Sequence, residues 1–569
     1  MNDKRWVHLI CAAVIMILVA VSYANTLGNG FIWDDEFLIR DNQYIKSFSH
    51  IKSIFTSYLA SSSGNVSNFY RPLQDLSYMI DYFLWGYEPF GFHLTNLLLH
   101  AGCAVLVYIL LSRILGDRRP AFIGAALFGV HPINTEAVSY VAGRADPLFL
   151  LFFLLSFLLF LKAVDGLKSA KKKGNNVLLF SVLSYAAAIL SKEIAVILPL
   201  FLFLYQKTFV KDSDLQPKLR RFYIPYICVF AAYAFLRKTI LDFSAIAPSN
   251  ILARFDIYQR LITTFKAFAV YLRLLVLPSG LHMERTVEVS RSFMEPAAFG
   301  AVILIAAIFF YIWKSHSRSK KIFFFSLWFF LGLVPVSNIV PINSFIAEHW
   351  LYLPAIGVFA VAGIGLSMLT DIKRDGPMLK IVSVLISAIL IGPYSYLTIQ
   401  RNKDWKDEAT FFKSKLKYQP ENSRLHLNFG NTYSEMGMHR EAIKEYKKAI
   451  ELRPNFAIAY GNIGSVYIDL GRYDAAIEYI EKALAIKPNY PDALYNLGII
   501  YEDRDMNRTE GYFKRALEFR PDYLKCHTGL GLIYLKQGRI EEAKRHWKEA
   551  LRINPREKKA AELLRAYSR

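Results

Sequence analysis

Trp33-Asp34-Asp35-Glu36 places three carboxylates in a row shortly after an apolar run from Trp6 to Val21. Such a group can draw a proton from a hydroxyl acceptor or hold a divalent cation; in its bland form it is solvated acid at a membrane surface. Further ionisable residues sit at the edges of apolar stretches: Glu136, Arg144 and Asp146 after His131-Pro132, Lys192 and Glu193 in the middle of 177–207, and Glu348-His349 before Leu351-Tyr352-Leu353-Pro354. Ionisable groups at membrane depth are functional candidates by default, although Arg144 with Asp146 and Lys192 with Glu193 can equally be structural pairs. His93 and His100 share a helix face, but two turns separate them by about 10 Å, too far to share an ion. Of the four cysteines, Cys11, Cys103, Cys228 and Cys526, none has CxxC spacing, so neither a disulfide framework nor a thiolate metal site is indicated. No metal site is expected.

The elements that must position these groups are membrane helices. Apolar residues make up 54% of the chain and aromatics 15%, concentrated before residue 400. Stretches long enough to cross the hydrocarbon are 7–24, 92–112, 120–138, 147–164, 222–239, 297–313, 322–340, 350–370 and 379–398, with 177–207 read as two short spans broken at Ser191-Lys192-Glu193. The first run is read as a retained helix rather than a cleaved signal. The net charge of +21 suggests nucleic acid until the cations are located. They fall in short loops: Arg113/Arg118/Arg119, Lys162 with Lys168 to Lys173, Lys207 to Arg221, Lys314/Arg318/Lys320/Lys321, and Lys373/Arg374/Lys380. About eleven spans with the N-terminus inside put all five clusters on the cytoplasmic side. Residues 259–277, which carry Lys266 and Arg273, are then an interfacial or re-entrant helix. The 25–91 loop, His131 to Asp146, Lys192/Glu193, 240–295 and Pro341 to His349 gather on the outer face, and the C-terminal part lies outside too.

That part is repetitive. Pro420, Pro454, Pro488, Pro521 and Pro555 recur at spacings of 34, 34, 33 and 34. Between them run apolar-Gly, Tyr, Gly, Ala, large, Ala: Ile463-Gly464, Tyr467, Gly471, Ala476, Ile480 and Ala483 in the second repeat. The pattern resembles tetratricopeptide repeats. Small residues sit where two antiparallel helices approach, large ones fill the space beside them, and proline ends the second helix. The third repeat is one residue short, with Asp505 in place of the turn glycine, so an irregular turn between Glu502 and Gly511 is expected. Residues 401–420 read as a linker helix, 421–557 as four repeats stacking into a superhelix with a concave peptide-binding groove, and 558–569 as a capping helix.

The ordered set of acidic outer loop, Tyr70-Arg71-Pro72-Leu73, Phe92-His93 with Asn96 and His100, His131-Pro132 with Thr135-Glu136-Ala137-Val138, Gly143-Arg144-Ala145-Asp146, Ser191-Lys192-Glu193 and Glu348 with Leu351-Tyr352-Leu353-Pro354 resembles the GT-C membrane glycosyltransferases. With the repeats, it resembles the transmembrane and tetratricopeptide repeat-containing proteins related to protein O-mannosyltransferases. The resemblance implies an all-α fold, with a polytopic GT-C-type domain over 1–400 followed by an α-solenoid. It implies inverting transfer of a sugar, mannose in the first instance, from a polyprenyl phosphate to a Ser or Thr hydroxyl of an acceptor protein recruited by the repeats. Asp35 matches the general base, with Asp34 and Glu36 beside it. Positive charge for the leaving phosphate would come from Arg71, Lys192, Arg144 and His349, with His93, Glu193, Glu348 and Tyr352 as further outer-face candidates. His349 departs from the family, which usually carries Arg there; imidazole is largely neutral near pH 7 unless paired with an anion. No cofactor is expected, the lipid-linked sugar being a substrate, and no nucleic acid partner. The absence of retention signals points to a bacterial inner membrane with periplasmic repeats. The rivals are a non-catalytic membrane scaffold and a polysaccharide polymerase or ligase; a transporter would show repeated halves.

Overall fold

The computed structural model describes residues 2–64, 67–168, 174–210, 216–239, 251–342, 344–368, 377–555 and 557–567. Among these there is helix but no strand, as the apolar runs and repeats imply. The chain divides into two compact units, Met1–Phe411 and Phe412–Arg569. Of the basic clusters, Lys171 to Lys173 and Lys373/Arg374 lie outside the described residues, as do 211–215 and the 240–250 part of the outer stretch.

The first unit is a helical bundle, and the chain is an integral membrane protein. Five helices are long and apolar enough to cross a bilayer: Arg5–Gly28, Pro89–Leu115, Val141–Leu167, Leu219–Thr239 and Pro296–Arg318. Several expected spans are shorter than their apolar runs. The 120–138 run becomes helix Arg118–Val130, ended by His131-Pro132, and the 322–340 run ends as helix at Leu333 before Pro335. Proline has no N–H for the helical ladder, so these segments leave the helix before the apolar pattern stops. The 177–207 run does break at Lys192, into Gly174–Ser191 and Leu198–Phe209. Residues Ile257–Val276 form one helix opened by an Asp256/Gln259 capping box, with the Lys266 ammonium on the Glu288 carbonyl and Ser290.

Small residues set the tightest contacts. A Cβ at Gly363 would overlap the Pro120 carbonyl, and one at Gly357 the Phe325 carbonyl; between apolar helices such close backbone approach does what solvent exclusion does in water. At one end of the bundle the basic loops cap helix C-termini: Lys320 on the Thr208 carbonyl (2.9 Å), Lys321 on the Leu115 carbonyl, and Arg113 on Asp165. A cation there meets the negative end of the helix dipole.

The second unit holds four helical hairpins: Ser423–Glu435 with His439–Leu452, Ala457–Asp469 with Tyr473–Ile486, Pro491–Tyr501 with Met506–Phe519, and Leu524–Lys536 with Ile540–Ile553, followed by Lys558–Tyr567. Gly437, Gly471 and Gly538 turn three hairpins with φ of 71°, 69° and 75°. The third turns without glycine. Its first helix is shorter, and Asp505 caps the second by accepting from the Asn507 and Arg508 N–H groups. A Cβ at Gly430, Gly464, Gly498 or Gly531 would strike Tyr446, Ile480, Phe513 or Trp547, respectively. Glycine is thus required where each pair crosses, the third included.

Candidate functional site

The segment from His131 to Asp146 has no long helix. His131 accepts from the Ile133 N–H, two short turns follow, and helix Ala145–Lys168 then begins. A Cβ at Gly143 would overlap the Glu136 carbonyl, so the segment folds tightly onto itself only because that residue is glycine. Nearly every residue singled out above is held by a position on this segment.

Glu136 binds His349, with Oε1 2.6 Å from Nδ1. Burial pushes the Glu136 carboxyl up, but the His349 charge and hydrogen bond, helped by Arg401 and Lys192, outweigh it and hold the group below its usual value. His349 is 27% exposed, and its anionic neighbour is the condition under which an imidazole can carry charge. Arg144 is fully buried. Its Nη1 lies 2.6 Å from Asp81, Nε donates to Asn96 (2.7 Å) and Nη2 to the Phe92 carbonyl (2.8 Å). Asp146 takes Lys192 at 2.6 Å, both side chains 5% exposed. Arg71 grips Glu193 bidentately, Nη2–Oε1 2.7 Å and Nε–Oε2 3.0 Å. Burial alone would raise the Glu193 carboxyl, yet Arg71 holds it down at about 2. The pairing therefore differs from both expected local pairs: Arg144 reaches Asp81 rather than Asp146, and Lys192 reaches Asp146 rather than Glu193. Arg71 is within electrostatic range of Asp146 and Lys192 of Glu136, so these pairs form one cluster.

The acidic motif docks on the same segment. Trp33 is left-handed, with φ 45°, a conformation that costs a non-glycine residue roughly 1 kcal/mol or more. Its backbone N–H is held by Glu408 (3.1 Å), and its ring lies 5.5 Å from that of Phe411. Beyond this turn the two aspartates differ. Asp35 is fully buried; Oδ2 accepts the Ile32 N–H (3.0 Å) and Oδ1 the Ala142 N–H (2.8 Å). Burial pushes its carboxyl well above the usual range, against those two bonds. Asp34 is partly exposed. Its backbone N–H donates to the Tyr140 hydroxyl (3.1 Å), and that phenol also pairs with the Asp34 carboxylate. Burial, then the charges of Asp34 and Asp35, push the phenol well up, so it keeps its proton. Glu36 pairs with Arg40 at the surface (2.7 Å).

The remaining candidates stand apart. Glu348 is buried, accepting from the His282 N–H (2.7 Å) and Arg285 (3.2 Å). Burial raises its carboxyl to about 7. His93 is buried with Nε2 3.4 Å from the Gly30 carbonyl. Tyr352 bonds the His100 ring inside the bundle (2.6 Å). Among the described residues no three His, Cys, Asp or Glu side chains converge as a metal-binding group.

Sequence reasoning missed Asp81, Tyr140 and the 402–408 segment. Trp405 stacks on Tyr140 (5.4 Å), and Asn402 bonds Ser139 (2.7 Å). A lone carboxylate in the mostly apolar helix Pro72–Trp85 was the available signal for Asp81.

A family model described as dolichyl-phosphate-mannose-protein mannosyltransferase matches residues 55–237, which hold Arg71, Arg144 and Lys192 but neither the acidic motif nor His349. Tetratricopeptide-repeat models match 430–470, 464–504 and 524–557. Protein O-mannosyl-transferase TMTC3 of Mus musculus is 27% identical, over 77% of this chain and 50% of its own. Protein O-mannosyl-transferase F38B6.6 of Caenorhabditis elegans is 27% identical, over 77% and 62%, and TMTC1 of Homo sapiens 26%, over 78% and 55%. The chain thus spans between 50% and 62% of the length of these curated relatives. Bundle and repeats together make the chain a relative of the protein O-mannosyl-transferases that join transmembrane helices to tetratricopeptide repeats.

Proposed function

We propose that this protein transfers a hexose, mannose by analogy with its relatives, from a polyprenyl-phosphate carrier to a Ser or Thr hydroxyl of a protein, with inversion, on the non-cytoplasmic face. The observation that carries the reading is the docking of the acidic motif on the same segment that organises Arg71, Arg144, Lys192 and His349. Asp34, the aspartate that solvent reaches, takes the proton from the attacking hydroxyl, and Tyr140 orients it. Asp35 acts through the backbone of Ala142 as a positioning residue. The leaving phosphate is met by the most exposed cations, His349 and Arg71. Lys192 adds charge from behind, and Arg144 is an anchor. The repeats recruit the acceptor.

The test is transfer by the purified chain in lipid nanodiscs, with polyprenyl-phosphate mannose and Ser/Thr peptides. Mannosyl-peptide that is lost with Asp34→Asn supports the proposal; an inactive wild type with either donor or acceptor varied overturns it. For sidedness, Cys228→Ser is combined with Ser49→Cys or Arg119→Cys in whole cells. Labelling of Arg119→Cys but not Ser49→Cys by an impermeant maleimide would place the site inside and end the reading.

A further inference from the structure

The repeats carry an asparagine at one fixed register. Asn428, Asn462 and Asn496 are spaced 34 apart, each two residues before the glycine that packs on its own hairpin partner. At 3.6 residues per turn, two residues are about 200°, so each carboxamide lies on the side of its first helix turned away from the second. All three are partly exposed. First helices of successive repeats lie side by side, and the amide of Asn462 crosses between them, donating to Asn431 (2.8 Å), which also accepts from the Tyr446 hydroxyl (2.9 Å). Asn428 and Asn496 make no side-chain hydrogen bond among the described residues. In the fourth repeat the position is Gly529, where a Cβ would crowd Phe513, so the row ends there.

We infer that this row binds an extended polypeptide through its main chain. A carboxamide offers one acceptor and two donors, the complement of the N–H and C=O that every peptide unit presents. A row of uncharged amides reads neither acidic nor basic side chains. A hairpin repeat that places one amide per 34 residues suits a partner whose hydrogen-bonding groups recur along its length whatever its sequence. The proposal rests on the reading of the repeats as the acceptor-recruiting part, not on the transfer chemistry.

The experiment is fluorescence anisotropy with the full chain in nanodiscs and a fluorescein-labelled, disordered Ser/Thr/Ala peptide. Its sequence-scrambled form, its backbone N-methylated form and a mannose oligosaccharide are the companion probes. Asn428→Ala/Asn496→Ala removes no bond from the free protein, so its melting temperature should match wild type. At about 1 kcal/mol net per hydrogen-bonded amide, its affinity should fall roughly 25-fold, and the triple variant with Asn462→Ala should fall further. Scrambling should leave binding intact, and N-methylation should abolish it. If no peptide binds the wild type, the recruiting role fails and the inference with it. If peptide binds but ignores both N-methylation and the double substitution, or if the oligosaccharide is the probe that needs the asparagines, the main-chain row alone is overturned.

Discussion

Replacing Asp34 and Asp35 separately by asparagine tests the assignment most directly, because the two changes should fail in different ways. At Asp35 each oxygen accepts a buried backbone N–H, from Ile32 and from Ala142. An asparagine keeps one acceptor and turns its NH2 toward the other N–H. Even a protonated carboxyl retains an oxygen that can accept, whereas the amide nitrogen cannot. Two donors then face each other out of reach of water, and at about 1–3 kcal/mol for each unsatisfied group the change costs roughly 2–5 kcal/mol. That is a large part of a typical stability of about 5–15 kcal/mol, and it falls on the contact that docks the acidic motif. Asp35→Asn should therefore lower the melting temperature and lose transfer as a consequence. At Asp34 solvent can satisfy the amide, so stability should move by no more than about 0.5 kcal/mol, while loss of a general base removes about 10²–10⁴ in rate. The assay is initial-rate mannosyl transfer in nanodiscs beside a thermal melt of the same preparations. An Asp34→Asn protein within threefold of wild type would refute the reasoning, as would an Asp35→Asn protein that melts normally yet is inactive.

Lys192→Met strands the buried Asp146 carboxylate, at a cost of about 3–5 kcal/mol; fluorescence-detected size-exclusion melts should show that loss, and Asp146→Asn added to it should restore most of the stability. Glu348 has its carboxyl raised by burial to about 7, above its unfolded value, so its contribution to stability is complete below about pH 4.5 and is lost as the pH rises through 7. Wild type should therefore melt progressively lower from pH 5 to pH 8, and Glu348→Gln should flatten that slope. Gly531→Ala puts a methyl into Trp547 and should destabilise the repeats by about 1–3 kcal/mol. Gly511→Ala, mid-helix with nothing within 4 Å, should stabilise them by up to about 1 kcal/mol; hydrogen exchange of the repeat helices in the full chain reads both.

The fold was legible where a period carries it. Proline spacing and the Gly-and-aromatic register placed the repeat hairpins, and even the third, with Asp505 for glycine, kept its pairing because an aspartate can cap a helix that no glycine introduces. The apolar runs located the bundle helices but not their ends, since apolarity continues through residues such as Pro335 where the helix does not. At the site, residue types were legible and partners were not. Arg144 and Asp146 are neighbours in sequence, yet at the start of a helix they face different ways and find Asp81 and Lys192. The difference between Asp34 and Asp35 was invisible for the same reason: it depends on the left-handed turn at Trp33, which no spacing announces.

That pairing limits which cations can serve a phosphate. A buried ion pair has already paid its desolvation, and turning one partner toward a new anion leaves the other charge stranded. Arg144, at 0% exposure and with Asp81, Asn96 and the Phe92 carbonyl all satisfied by it, has no inexpensive way to turn. Lys192 and Asp146, at 5% each, are nearly as fixed. Arg71 at 12%, with a Glu193 that is 28% exposed, and His349 at 27% lie where water can solvate the carboxylate they leave behind. A phosphate arriving there exchanges one anion for another rather than creating an unpaired charge. The inner pairs then act by holding the 136–146 segment still, so that the outer two cations and Asp34 keep their positions as the sugar is passed.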